Sequence, residues 1–170
     1  MRKNRAKTVA LYGVLIALAM VLSWVEAQIP AFFAVPGMKL GLTNIAVIVA
    51  LYCMDEKSAV IISLVRIVLV SFLFGSGVSL IYSLAGGILS ITVMIILKRA
   101  VKLKMVTVSI AGGIAHNVGQ VITAVIMLQT TSLAWYLLIL WFSGIAAGTV
   151  IGLIGAELTK RLRRFIENNY

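Results

Sequence analysis

The stretch Ala111–Gln120, AGGIAHNVGQ, has the residue types and the spacing of a binding surface. Gly113, His116, Asn117 and Gln120 recur at i, i+3, i+4 and i+7, so a helix carries them on one face. They sit inside an apolar run from Met105 to Leu128, long enough to cross a bilayer. Polar groups at that depth cost free energy unless satisfied, and they face a bundle interior or a functional cavity. The face is therefore half of a candidate binding site, with interhelical hydrogen bonding as its alternative use. His116 is the only histidine, with no acid partner and no evident nucleophile beside it, so neither catalysis nor a metal site is expected.

Arg66 is the second chemical signal. It falls near the middle of another apolar run, too deep to snorkel easily to either surface, and a cation there needs a partner. The chain has five acids, Glu26, Asp55, Glu56, Glu157 and Glu167, all at the ends of apolar runs or outside them. The expectation is that no carboxylate shares the depth of Arg66, leaving an anionic ligand as its partner. Guanidinium suits bidentate binding of a phosphate or a carboxylate. Backbone carbonyls, or Glu26 reaching across, are the structural alternative. Asn44 and Lys39, at the start of the run before, are placed to complete the pocket.

The elements that position these residues follow from composition. The chain has 170 residues, is 62% hydrophobic and has a mean hydropathy of +1.11, more apolar surface than a soluble domain of this size can hide. The fold class expected is an all-α polytopic membrane protein, a bundle of six transmembrane helices in one transmembrane domain over 1–170. The spans are Thr8–Val25, Val35–Met54, Ser58–Phe74, Val78–Leu97, Met105–Leu128 and Ala134–Glu157. One cysteine, Cys53, excludes an internal disulfide.

The formal net charge of +10 would suggest nucleic acid in a soluble protein, but the basic residues cluster at span ends. Arg2, Lys3, Arg5 and Lys7 precede the first span, and Lys57 follows the second. Lys98, Arg99, Lys102 and Lys104 follow the fourth; Lys160, Arg161, Arg163 and Arg164 follow the sixth. Of the 15 Lys and Arg, only Lys39 and Arg66 lie elsewhere. Six spans put all four segments on one side, which the positive-inside rule makes cytoplasmic, with both termini there and no nucleic-acid role. The opposite connections are Glu26–Lys39, with Pro30 and Pro36, Phe74–Ser79, FGSGVS, and the short polar Gln129–Ser132; the first two together are candidates for a lid over an outward-facing pocket.

Small residues mark two helix faces. Ala6, Ala10, Gly13 and Ala17 form a stripe on the first span, where another helix can approach closely. Gly144, Ala147, Gly148, Ile151, Gly152 and Gly155 form a comparable run on the sixth, the usual mark of packing within the bundle.

These features resemble the substrate-binding S component of an energy-coupling factor (ECF) transporter. Val35–Tyr52, VPGMKLGLTNIAVIVALY, and Ala111–Gln120 more narrowly resemble the Gx transporter family, often labelled heptaprenyl diphosphate synthase component I. The resemblance covers nearly the whole chain. It implies a ligand pocket towards the outer face of a cell-membrane protein, made by Lys39, Asn44, His116, Asn117 and Gln120, while Arg66 rests on the physical argument above. It also implies partners, a transmembrane coupling subunit and two cytoplasmic ATPases, with Ala6, Ala10, Gly13 and Ala17 as the docking stripe. The substrate expected is a small anionic, vitamin-like or flavin-like compound, with no cofactor.

An enzyme is not expected. Prenyl elongation needs clustered aspartates to hold magnesium on a diphosphate, and the chain has one aspartate, Asp55. It also lacks a Walker A sequence for ATP hydrolysis. Two other readings remain from the residues: an accessory subunit holding a prenyl diphosphate for isoprenoid or quinone synthesis, and an oligomeric facilitator working alone.

Overall fold

Within a bilayer no water is available to backbone amides, so each apolar run must satisfy its own hydrogen bonds as a helix. The computed structural model describes residues 2–28 and 41–168. They form α1 (Arg2–Gln28), α2 (Asn44–Cys53), α3 (Glu56–Phe74), α4 (Gly77–Ile96), α5 (Met105–Leu128) and α6 (Tyr136–Asn168). A π-helical turn, Leu97–Val101, continues α4, and a 3-10 turn, Thr131–Trp135, leads into α6. α1, α3, α4, α5 and α6 each contain a segment long and apolar enough to cross a membrane. The protein is thus an all-α, multi-pass membrane protein, the class the hydropathy indicates.

α2 differs from the other helices. Its 10 residues make a rod of about 15 Å, half of a hydrocarbon core of about 30 Å. Asn44 through Leu51 are all buried, and the helix touches α1, α3, α5 and α6. α2 is the central strut of the bundle. The span expected from Val35 is described here from Gly41 onward; residues 29–40, with Lys39, Pro30 and Pro36, lie outside the described residues.

The basic segments meet at one end. The Lys98 ammonium donates to the Leu51 carbonyl, and Arg163 Nη2 donates to the Tyr52 carbonyl at 2.8 Å. These cations sit on the C-terminal carbonyls of α2, where the helix dipole favours positive charge. Tyr52 in turn donates to the Leu103 carbonyl at 2.9 Å, and Tyr12 of α1 donates to Ser58 of α3 at 2.7 Å. At the same end the turn into α3 is capped: Asp55 accepts from the Ser58 N–H at 2.6 Å. That hydrogen bond holds the Asp55 carboxyl below its ordinary pKa.

In lipid, helices associate by close packing more than by hydrophobicity, so glycine placement decides the contacts. The α6 stripe is used internally. A Cβ on Gly148 would stand 2.6 Å from the Ile110 Cα, and one on Gly152 would stand 2.7 Å from the Val106 Cα. α4 and α5 approach as closely where Gly119 meets the Ala85 carbonyl, at 2.8 Å from the same construction. The α1 stripe is different. Ala10, Gly13 and Ala17 are exposed, and nothing lies within 4 Å of a Cβ placed on Gly13. The side chain of Ala6 lies outside the described residues. α1 turns Leu15, Ala19, Ser23 and Glu26 inward instead, against α2 and α3.

Candidate functional site

The candidate site forms where α2 begins. Gly41 precedes the helix with φ +84°, a left-handed conformation that side chains rarely adopt. A Cβ there would also stand 3.2 Å from Asn44 Nδ2 and 3.6 Å from His116 Cδ2. Glycine lets the chain enter α2 with its first residues against α3 and α5. Counting along each helix from the basic end puts Asn44, Arg66 and His116 at roughly 13–17 Å, near mid-membrane.

Arg66 lies on the inward stripe of α3 with Ile62, Ser63 and Val70, and is 5% exposed. Its guanidinium is held by the first turn of α2: Nη1 donates to Thr43 Oγ1, and Nη2 donates to Asn44 Oδ1 at 2.7 Å. Nε has no partner among the described residues. A buried donor left unmet costs about 1–3 kcal/mol, more when it is charged.

The expectation that no acid shares this depth is corrected by Glu26. The hydropathy boundary placed it beyond the first span, but α1 continues to Gln28 and the helical stripe carries Glu26 inward. Its carboxylate accepts from the Gly41 N–H at 2.6 Å and lies within electrostatic reach of Arg66. The charge of Arg66 therefore has a counter-charge inside the protein.

The face on α5 divides between two neighbours. His116 and Gln120 look towards α2 and α4, and the Gln120 amide nitrogen lies 3.1 Å from His116 Nε2. With the amide donating, Nε2 accepts and the ring proton sits on Nδ1. Nδ1 lies beside the Gly86 backbone without a hydrogen bond of good geometry, and Gln120 Oε1 also lacks a partner among the described residues. Asn117 instead donates to the Leu140 carbonyl of α6 at 2.6 Å. Gly113 packs on Gly144, a Cβ placed on it standing 2.7 Å from the Gly144 carbonyl oxygen. Positions i to i+7 spread over about 100° of helix surface, wide enough to meet two helices. Asn117 and Gly113 thus hold α6, which corrects the expectation that all four converge on one pocket.

The structure brings Arg66, Asn44, His116 and Gln120 together around Gly41. Lys39 lies outside the described residues. Reasoning from sequence missed Thr43 and held Glu26 only as the structural alternative for Arg66. Thr43 had a signal in its position beside Asn44, and Glu26 had one as the only acid at the end away from the basic segments. The FGSGVS connection is not a lid: only Gly75 and Ser76 are outside helices, and Ser76 caps α4 by accepting from the Ser79 N–H at 3.2 Å.

A separate groove of about 570 Å³ runs between α5 and the start of α6, lined by Ile114, Val118, Trp135, Leu137, Leu138 and Trp141. Ile114 and Val118 lie on the side of α5 opposite His116, so the groove and the polar centre are divided by the helix.

A family model described as Heptaprenyl diphosphate synthase component I matches residues 15–158. No curated protein and no solved structure matches the chain.

Removing Arg66 would take a nearby positive charge from the buried Glu26 carboxylate and a donor from Thr43 and Asn44. Arg66→Ala should lower stability by about 3–5 kcal/mol, the usual cost of breaking a buried pair. The double variant Arg66→Ala with Glu26→Gln should recover a large part of that loss. Chemical unfolding of the purified variants in mixed micelles measures both; equal stability of wild type and Arg66→Ala would refute the pairing.

Proposed function

The chain belongs to the heptaprenyl diphosphate synthase component I family, and from that membership and its polar centre we propose that it is the substrate-capturing membrane subunit of an ECF-type transporter. The observation that carries the reading is the set Thr43, Asn44, Arg66, His116 and Gln120 at mid-depth, assembled at the N-terminus of a half-length helix. Helix N-termini inside a membrane bundle favour anionic groups of substrates. The substrate is a small anionic, vitamin-like or flavin-like compound, whose anionic group takes the Nε–H of Arg66, a donor without a partner among the described residues. Both termini are cytoplasmic, since the basic segments gather at one end.

In this reading energy comes from outside the chain. A transmembrane coupling subunit lies on the exposed Ala10, Gly13, Ala17 face of α1, and two cytoplasmic ATPases drive it. The protein is not itself an enzyme; its one aspartate, Asp55, is used as the cap of α3. The family description favours a second reading, a membrane accessory to prenyl diphosphate synthesis. Against it, the described apolar groove lies across α5 from Arg66, so a chain seated there could not place its diphosphate on the guanidinium.

Purification from the native membrane in mild detergent separates the two readings. The protein should carry ATPase and coupling subunits with it, and a soluble prenyl synthase in their place would favour the second. Gly13→Leu should abolish assembly while leaving the isolated protein folded, because its side chain enters open space. An unfolded Gly13→Leu chain, or an intact complex, would count against docking on α1. For orientation, a cysteine placed between Lys98 and Lys104 in a Cys53→Ser background should resist impermeant thiol reagents from outside; labelling from outside would reverse the topology.

A further inference from the structure

Gln120 is fully buried on α5, one helical turn beyond His116. Its amide makes a single side-chain hydrogen bond, the 3.1 Å contact between Nε2 and His116 Nε2, and Oε1 has no partner among the described residues. Which amide atom is left over follows from the far side of the ring. His116 Nδ1 lies against Gly86 in the interior of α4, a Cβ on that glycine standing 2.9 Å from it. The Gly86 N–H is spent inside its helix, so the backbone there presents a carbonyl, which calls for a proton on Nδ1. Nε2 is then the bare nitrogen that accepts from the Gln120 amide, and the carboxamide oxygen is the atom left unmet.

A buried acceptor without a donor carries the full cost of its lost hydration. Among the described residues the bundle supplies no donor, since the buried hydroxyls of Ser23, Ser71, Ser79 and Ser90 are themselves unpaired. The oxygen belongs to the same cluster as the unmet Nε–H of Arg66. The His116 ring that holds the Gln120 amide lies 3.6 Å from the Cβ position of Gly41. Asn44 Nδ2 lies 3.2 Å from that same position, and Asn44 Oδ1 accepts from Arg66 at 2.7 Å. One unmet donor and one unmet acceptor therefore share a single polar cluster.

We propose that Gln120 is a specificity-determining residue, through which the site takes small anions that also carry an N–H or O–H donor. The inference rests on the anion-binding reading above and narrows it. The anionic group accepts from Arg66 Nε, and the donor of the same molecule meets Gln120 Oε1. Hydroxy acids, and anions bearing an amide or ring N–H, satisfy both ends; a plain alkanoate of equal size satisfies one. The alkanoate covers the Gln120 oxygen and gives nothing back, so a site with a built-in acceptor rejects the ligand that lacks the donor. His116 acts through Gln120, because its ring occupies the NH₂ side of the amide and turns the oxygen away from itself.

A series of ω-hydroxy carboxylates of two to six carbons serves as the probe, each set against the alkanoate with a methyl group in place of the hydroxyl. The purified chain in lipid nanodiscs is melted at increasing concentrations of each compound, and the half-stabilising concentration is read. At one chain length or more, the hydroxy acid should stabilise at about tenfold lower concentration than its alkanoate, the discrimination one hydrogen bond supplies. The preference should collapse in Gln120→Leu, and in the near-isosteric Gln120→Met if the leucine variant does not fold. Equal ranking of the pairs by the wild type at every length would overturn the proposal and leave the anion site standing. A preference kept in the Gln120 variants would overturn it as well. Matching diols that stabilise as strongly as the hydroxy acids, or no stabilisation by any compound, would defeat the anion-binding reading and the proposal with it.

Discussion

A guanidinium buried near mid-membrane is the constraint around which the bundle is arranged. Stripping Arg66 of water costs several kcal/mol unless hydrogen bonds and a counter-charge replace its hydration. Three elements supply them. α2 starts at half depth, which puts Thr43 and Asn44 beside the guanidinium instead of beyond it. Gly41 takes a left-handed turn that only glycine adopts without strain, and its N–H fixes Glu26. α1 runs one turn past its apolar stretch so that Glu26 lands inside. The breaking of the second span and the inward acid at the end of the first thus answer the same electrostatic demand.

Around that centre, glycines set how near the other helices come. Gly86 of α4 lets the His116 backbone and ring approach, a Cβ there standing 2.8 Å from the His116 carbonyl oxygen. Gly144, Gly148 and Gly152 bring α6 onto the opposite flank of α5, where Asn117 joins it to Leu140. α5 is therefore gripped on both sides, with His116 held beside Gly41 at the start of α2. Among the described residues, Ala10, Gly13 and Ala17 of α1 are exposed instead. One pattern of spacing serves internal packing on α6 and leaves an open helix face on α1.

The class of the protein was legible because hydropathy and basic clusters follow directly from the bilayer. Arg66, Asn44, His116 and Gln120 were legible as site candidates because a polar group in a long apolar run is costly and stands out. Glu26 was legible only as an alternative partner for Arg66, since hydropathy ends a span at its first charge while the helix itself continues. The half length of α2 was hidden for a related reason: Val35–Met54 is apolar apart from Lys39, Thr43 and Asn44, and hydropathy cannot tell a buried half-helix from a full span. Asn117 was grouped with His116 because periodicity gives a face without saying which neighbour meets it. Only packing against α6 separates the two.

The central claim is that the Arg66 centre holds a small molecule. Native mass spectrometry of the gently purified protein beside Arg66→Lys tests it most directly. An ammonium keeps the charge opposite Glu26 but lacks the guanidinium fork. The account predicts a discrete small-molecule mass retained by the wild-type protein and largely lost from Arg66→Lys. A wild-type protein that carries only lipid, or the same added mass at equal occupancy in both, would contradict it.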